Sequence, residues 1–101
     1  MKKKRERKPK SLKIVERELL HKGRRYYGLA EYNDGHCKIS IDPVIHRGAK
    51  ERLNTLVHEA LHVGDWLCNR EKDLNETEVD IIAFNICDIL WKQGYRRTDI
   101  K

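Results

Sequence analysis

Residues 49–67 read AKERLNTLVHEALHVGDWL, and their periodicity governs how the rest of the chain is interpreted. Leu53, Leu56, Val57, Ala60, Leu61, Val63 and Leu67 fall on one broad face at ~100° per residue, the pattern of an amphipathic helix. Inside that helix stands His58-Glu59-Ala60-Leu61-His62, an HExxH string. Residues four apart are neighbours on a helix, so both imidazoles point the same way and can share one ion, with Glu59 ~100° around. With His58 set at zero, His62 lies at ~40° and Asp65 at ~340°, whereas the apolar side chains centre near ~200°. The histidines therefore face a cleft, away from their helix's main core contact. Tetrahedral Zn2+ accepts imidazole nitrogen well, and a hydrolytic site keeps one position for water with a carboxylate beside it to take the proton. Glu59 is placed to be that base.

A polar stretch, NREKDLN at 69–75, interrupts the periodicity and a second helix follows it. Asn75 is its expected N-cap, Glu76 and Glu78 lie in the favoured first turn, and Gly94 can close it after about residue 93. A third zinc ligand can come from Glu76, Glu78 or Asp80. The apolar stripe Val79, Ala83, Ile86 and Leu90 centres near ~320° when Glu76 is set at zero, which puts Glu76 within ~40° of the buried seam and Glu78 at ~200°. A carboxylate on a seam packed against the histidine helix is costly to bury unless paired or bound to metal, so Glu76 is the expected ligand. Asp80, one turn on, is placed to hold the other ring nitrogen of a ligand histidine and fix its tautomer. Asp65 shares the histidine face and is an alternative ligand, with a supporting role outside the coordination sphere preferred.

Upstream, YYGLAEYNDGHCKISID predicts a β-hairpin over about 25–32 and 36–42, because Asn33, Asp34 and Gly35 tolerate the positive φ of a tight turn. Pro43 ends its second strand, since it has no amide to donate to a ladder. Residues 12–20, LKIVERELL, are ambiguous between strand and helix, with strand preferred. The expected fold is α+β: a small antiparallel sheet with its hairpin packed on two main helices, the metal held between the helices.

At 101 residues the chain has room for one domain. It has no apolar run of the ~20 residues a membrane helix needs, and no apolar stretch follows the basic start, so the expected setting is cytoplasmic with no membrane partner. The net charge of +6 is concentrated: residues 2–10 carry seven basic side chains and one acid, and residues 11–101 carry 15 of each sign. The first ten residues are expected to form a disordered basic tail, able at most to make weak nucleic-acid contacts, on a neutral body spanning 11–101. Cys37, Cys68 and Cys87 are odd in number and lack CxxC spacing, which argues for reduced, buried thiols.

With these residues in place, HEALH followed by NETEVDIIA resembles the gluzincin type of zinc metallopeptidase, in which the third ligand is the first Glu of an ExxxD-like pattern; Glu76 and Asp80 match it. The order of strand, GL-containing hairpin, HExxH helix and a closing helix ending LWKQGYR looks like small phage-type relatives of the ImmA/IrrE metallopeptidases over about residues 12–97. The resemblance implies a zincin-like fold and Zn2+-dependent cleavage of a protein or peptide partner. Carried over by position, it implies His58, His62 and Glu76 as ligands, Glu59 as base, and the strand Lys38, Ile39, Ser40, Ile41 lying along the substrate. The metzincin extension is not met, because Asp65 and Cys68 stand where its glycine and third histidine belong. Two alternatives are a non-enzymatic zinc-stabilised interaction module, and a SprT-like protease acting on DNA-bound proteins with the tail on phosphate. Tyr26, Tyr27, His36, His46 and Arg47 are the residues available to stabilise an oxyanion.

Overall fold

Asp34 and Gly35 both take positive φ, 49° and 86°, and so make the two-residue turn whose twist matches that of paired strands. The turn joins Gly28–Asn33 to His36–Ile41 in antiparallel register, Asn33 opposite His36 and Gly28 opposite Ile41. In the computed structural model, which describes residues 8–68 and 71–96, the elements in chain order are β1 (Ser11–Glu16), β2 (Leu20–His21), β3 (Arg24–Arg25), β4 (Gly28–Asn33), β5 (His36–Ile41), α1 (Ala49–Cys68) and α2 (Glu76–Lys92). The protein is a small α+β fold.

The main sheet runs β1-β5-β4, and β1 pairs with β5 in parallel, Ser11 opposite His36 through Glu16 opposite Ile41. The sheet is therefore mixed, where hairpin logic alone leads to an antiparallel one. Cys37, Ile39 and Ile41 alternate onto the face that packs on Val63, Leu56, Trp66 and Leu67 of α1. Val79, Ala83 and Cys87 bury the inner face of α2, which packs on α1. Helix α1 thus lies between the sheet and α2, and two of its faces are spoken for.

A second, smaller hairpin pairs β2 with β3 across Lys22 and Gly23, with φ 52° and 77°. The expected first strand of the main hairpin began at residue 25, yet Arg25 belongs to this smaller unit. It is tied down by Asp42, which is fully enclosed at the end of β5. Asp42 accepts from the backbone N–H of Leu19 at 3.0 Å and of Val44 at 3.0 Å, and from Nη2 of Arg25 at 2.8 Å. Burial would push its carboxyl upward, but these donors outweigh that and hold it well below the usual carboxylate range.

Helix α2 starts and stops where its sequence says it should. Asn75 caps it in a capping box, accepting from the N–H of Glu78 at 2.8 Å while Glu78 accepts from the N–H of Asn75 at 2.9 Å. Gly94 takes φ +86° just past the Gln93 cap. The expected basic tail lies, for residues 1–7, outside the described residues; Lys10 already belongs to the fold, its N–H donating to Gly35 O at 2.7 Å. Cys37 and Cys87 are buried, but Cys68 at the end of α1 is exposed, and none of the three forms a disulfide. Among the described residues no helix is long and apolar enough to cross a membrane.

Candidate metal centre

His58 and His62 stand one turn apart on the flank of α1 left open by the sheet and by α2, with side chains 18 % exposed. The first turn of α2 faces them. His58 Nε2 lies 3.2 Å from Glu76 Oε2, and His62 Nε2 lies 2.7 Å from Glu76 Oε1. The opposite ring nitrogen of His58, Nδ1, lies 3.0 Å from Asp80 Oδ1. With Nδ1–H donated to Asp80, a neutral His58 turns its Nε2 lone pair toward Glu76, and lone pair facing carboxylate is repulsive unless a proton or cation lies between them.

His58, His62 and Glu76 are the group of donors among the described residues that converges on one point, all within 4.8 Å of one another. Tetrahedral zinc with bonds of about 2.0–2.2 Å sets its ligand atoms about 3.3 Å apart. The separations of 2.7 and 3.2 Å between the imidazole nitrogens and the carboxylate lie close to that spacing. Two imidazoles and a carboxylate are a donor set suited to zinc, and the residues present fit such an ion.

Asp65, the alternative ligand, is not one of the converging donors. It is buried, and its Oδ2 accepts from the backbone N–H of Leu74 at 2.8 Å, one residue before the cap of α2. The carboxylate thus ties α1 to the start of the helix that carries Glu76, and it does not line the cleft. Its wheel angle puts its Cβ on the histidine face, and one of its carboxylate oxygens accepts from that backbone amide.

Glu59 projects the other way from α1, toward β4, and is only 9 % exposed. Burial raises its carboxyl above the usual range, although His58 and His62 pull it back, Glu76 adds to the rise and a hydrogen bond from the Ala30 amide opposes it. A carboxylate raised by burial next to two imidazoles suits a proton acceptor working near neutrality. Space for it depends on Gly28. A Cβ there would stand 2.7 Å from Thr55 Cγ2, 3.0 Å from Glu59 Cγ and 3.1 Å from Glu59 Oε2. Gly28→Ala is therefore expected to cost about 1–3 kcal/mol by overpacking and to displace the Glu59 carboxylate; urea denaturation and the structure of the variant check both. Sequence reading passed over Gly28, although a glycine inside a strand is the usual sign of close backbone approach.

The cleft beside these groups has a volume of about 720 Å³ and is bounded by β4, by the segment before it and by both helices. Trp66 forms one wall, stacked on His62 at 6.0 Å and tilted against Tyr32 at 6.0 Å. Tyr26 and Tyr27 line the other end. His46 backs Tyr27 edge-on at 5.3 Å, with its Nδ1 2.7 Å from Asp42 O and its Nε2 2.8 Å from Thr55 Oγ1, so both ring nitrogens are committed. His36 is at the far end of the sheet against Ser11 Oγ, and Arg47 does not line the cleft. Cys87 is buried against Lys50 O and is likewise no part of it.

The strand expected to meet substrate is corrected by the sheet order. Lys38, Ile39, Ser40 and Ile41 belong to β5, the central strand, paired on one side with β1 and on the other with β4. Ile39, Ser40 and Ile41 are 2 % exposed or less, so no further strand can join them. The edge beside the metal site is β4. The N–H of Asp42 donates to Tyr27 O at 3.0 Å, and the alternation of an antiparallel ladder then turns the backbone groups of Gly28, Ala30 and Tyr32 outward. Compared with family models, with curated proteins and with solved structures, the chain matches none, so its functional reading rests on the geometry of this cleft.

Proposed function

We propose that the protein is a zinc-dependent metallopeptidase that cleaves a peptide bond in an extended segment of a protein partner. The observation that carries this reading is the convergence of His58, His62 and Glu76 on one point, with the buried Glu59 carboxylate beside it and an open cleft in front. His58, His62 and Glu76 would hold the ion, and Asp80 would orient His58. Bound zinc supplies Lewis acidity, polarising a carbonyl and lowering the pKa of a bound water to about 7.

The chain's own residues do the rest. The outward backbone groups of β4 other than the Ala30 N–H, which Glu59 already accepts from, accept an extended peptide as an added strand, which lays its carbonyl across the cleft. Glu59 accepts the proton of the attacking water and passes it to the departing amine. The Ala30 amide keeps the Glu59 carboxylate on the side of the strand where that peptide lies. Trp66, backed by Tyr32, offers an apolar wall to the side chain next to the scissile bond. A purely structural zinc site needs no such cleft, and its presence beside the donors favours the hydrolase.

Metal binding to the folded state alone stabilises it by mass action, about 2.7 kcal/mol at a free concentration one hundred times Kd. Thermal unfolding with added Zn2+ should therefore rise by about 10 °C or more, and Glu76→Gln should lose most of that rise. Cleavage of an unstructured protein such as casein should appear with the metal and vanish with a chelator. A melting temperature indifferent to Zn2+ would sink the metal site; a zinc-stabilised protein inert on every unfolded substrate would leave the metal and remove the peptidase.

A further inference from the structure

Helix α2 is apolar on more sides than its packing uses. Ten of its 17 residues are apolar, yet α1 is the one element among the described residues that packs on it, and Val79, Ala83 and Cys87 are the residues buried there. With Ile81 set at zero on a helical wheel, those three centre near ~200°. The opposite side holds Ile81 itself, Lys92 at ~20°, Asn85 at ~40°, Glu78 at ~60° and Ile89 at ~80°. Ile81 and Ile89 are 58 % and 62 % exposed, and Phe84 and Ile86 are exposed on either flank. One such side chain on a surface is ordinary, but several on one stripe form a patch. A helix apolar on most sides is normally covered on most sides.

The residues of this stripe are arranged symmetrically about Asn85. Ile81 and Ile89 stand four positions to either side of it, and Glu78 and Lys92 seven to either side. Two copies of α2 laid antiparallel across a two-fold axis at Asn85 therefore set Ile81 against the partner's Ile89 and Glu78 against the partner's Lys92, each contact occurring twice. A parallel pair would set glutamate on glutamate and lysine on lysine, which repel. A partner of another sequence would not require the stripe to match its own reverse. Both charged groups have room for the contact: Glu78 Oε1 accepts the Asn75 N–H and Lys92 meets Asp88 at 3.0 Å, but a carboxylate accepts at two oxygens and an ammonium donates three hydrogens. Asn85 donates one amide hydrogen to Ile81 O at 2.8 Å, and its other N–H and its Oδ1 can pair reciprocally with the partner's Asn85. A single asparagine in an apolar helix seam fixes the register of the pair.

We infer that the protein forms a two-fold symmetric dimer through the solvent face of α2, with the paired helices antiparallel and Asn85 on the axis. A contact the length of α2, about 26 Å, lies at the small end of stable interfaces, so dissociation belongs in the micromolar range. Glu76 and Asp80 fall at ~220° and ~260° on the same wheel, on the side turned to α1. The metal cleft therefore stays open in the dimer, and the inference stands apart from the peptidase reading.

Sedimentation velocity of the full-length protein from about 1 to 200 µM tests it. A reversible shift from monomer to twice the monomer mass is expected, with a melting temperature that rises with protein concentration, because association stabilises the folded state by mass action. Ile81→Gln combined with Ile89→Gln should weaken association by about 100-fold or more. The double variant should remain a folded monomer, since both side chains face solvent in the single chain, and its circular dichroism spectrum reports that directly. Lys92→Glu, which sets like charges at both ends of the contact, should weaken the dimer by about three- to tenfold at low salt and less at high salt. Four results would each overturn the inference: a monomer at every concentration, growth past a dimer, a double variant that associates as the parent does, and a Lys92→Glu dimer as tight as the parent's at low salt.

Discussion

Glu59→Gln should leave zinc affinity within a few-fold of the parent protein and reduce peptide cleavage by about 10²–10⁴-fold. The substitution keeps the size and the hydrogen-bond acceptor that meets the Ala30 amide but removes the proton-accepting carboxylate that lies between β4 and the histidines. Metal content and the zinc-induced rise in melting temperature should survive, because the donors are His58, His62 and Glu76. Peptide hydrolysis followed by mass spectrometry, with metal content measured on the same sample, separates the two effects. Parent-level cleavage in the variant would rule out Glu59 as base and with it the proton path described above.

Asp42→Ala should cost about 3–5 kcal/mol, a large part of the 5–15 kcal/mol that holds a domain of this size together. The carboxylate is fully enclosed, and its removal strands the N–H groups of Leu19 and Val44 and leaves Arg25, 35 % exposed, without its partner. The segment that comes loose carries Arg25, Tyr26 and Tyr27, which line the cleft, so the damage extends to the site. Asp42→Asn retains an acceptor oxygen and should be milder.

The same residue sets a pH dependence. Its folded-state pKa is depressed, so the unfolded chain binds the proton more readily. The stabilisation is fully present above the unfolded value of about 3.9 and drains away as pH falls from there toward the folded pKa. Urea denaturation between pH 2 and 6 should show the parent losing stability on this limb and Asp42→Asn losing less. Identical slopes in the two proteins would mean that another carboxylate governs acid unfolding.

The two helices and the residues they bring together were legible because helical geometry is local. A spacing of four puts His58 over His62 whatever surrounds them, and the wheel angle of Glu76 turns it toward α1, but its side chain is 70 % exposed, so the cost of burial that pointed to it does not apply. Asp80 follows from the same arithmetic, and its carboxylate does meet His58 Nδ1. Asn75 and Gly94 mark ends that the structure keeps, because caps satisfy backbone groups within one turn. Glu78, a solvent charge by its wheel angle, also closes the capping box. The bond from the Leu74 amide to Asp65 could not be read in this way, because that amide belongs to a connection whose path no periodicity describes.

The sheet was legible only in part. The Asp34-Gly35 turn announces the β4–β5 hairpin, but Lys22-Gly23 carries a weaker signal, since lysine seldom adopts positive φ. Nothing within Leu12 or Ile14 states that β1 will join β5 in parallel from 25 residues away. By itself, then, the amino-acid order determined the α+β class, both helices and the three side chains that could share a cation, all of which depend on neighbours within a turn. Only the tertiary structure decided that β5 is enclosed and β4 is the edge, and that Gly28 makes room for Glu59. Strand order arises from pairing between distant segments, and its free energy lies in contacts that do not exist until the chain has closed on itself.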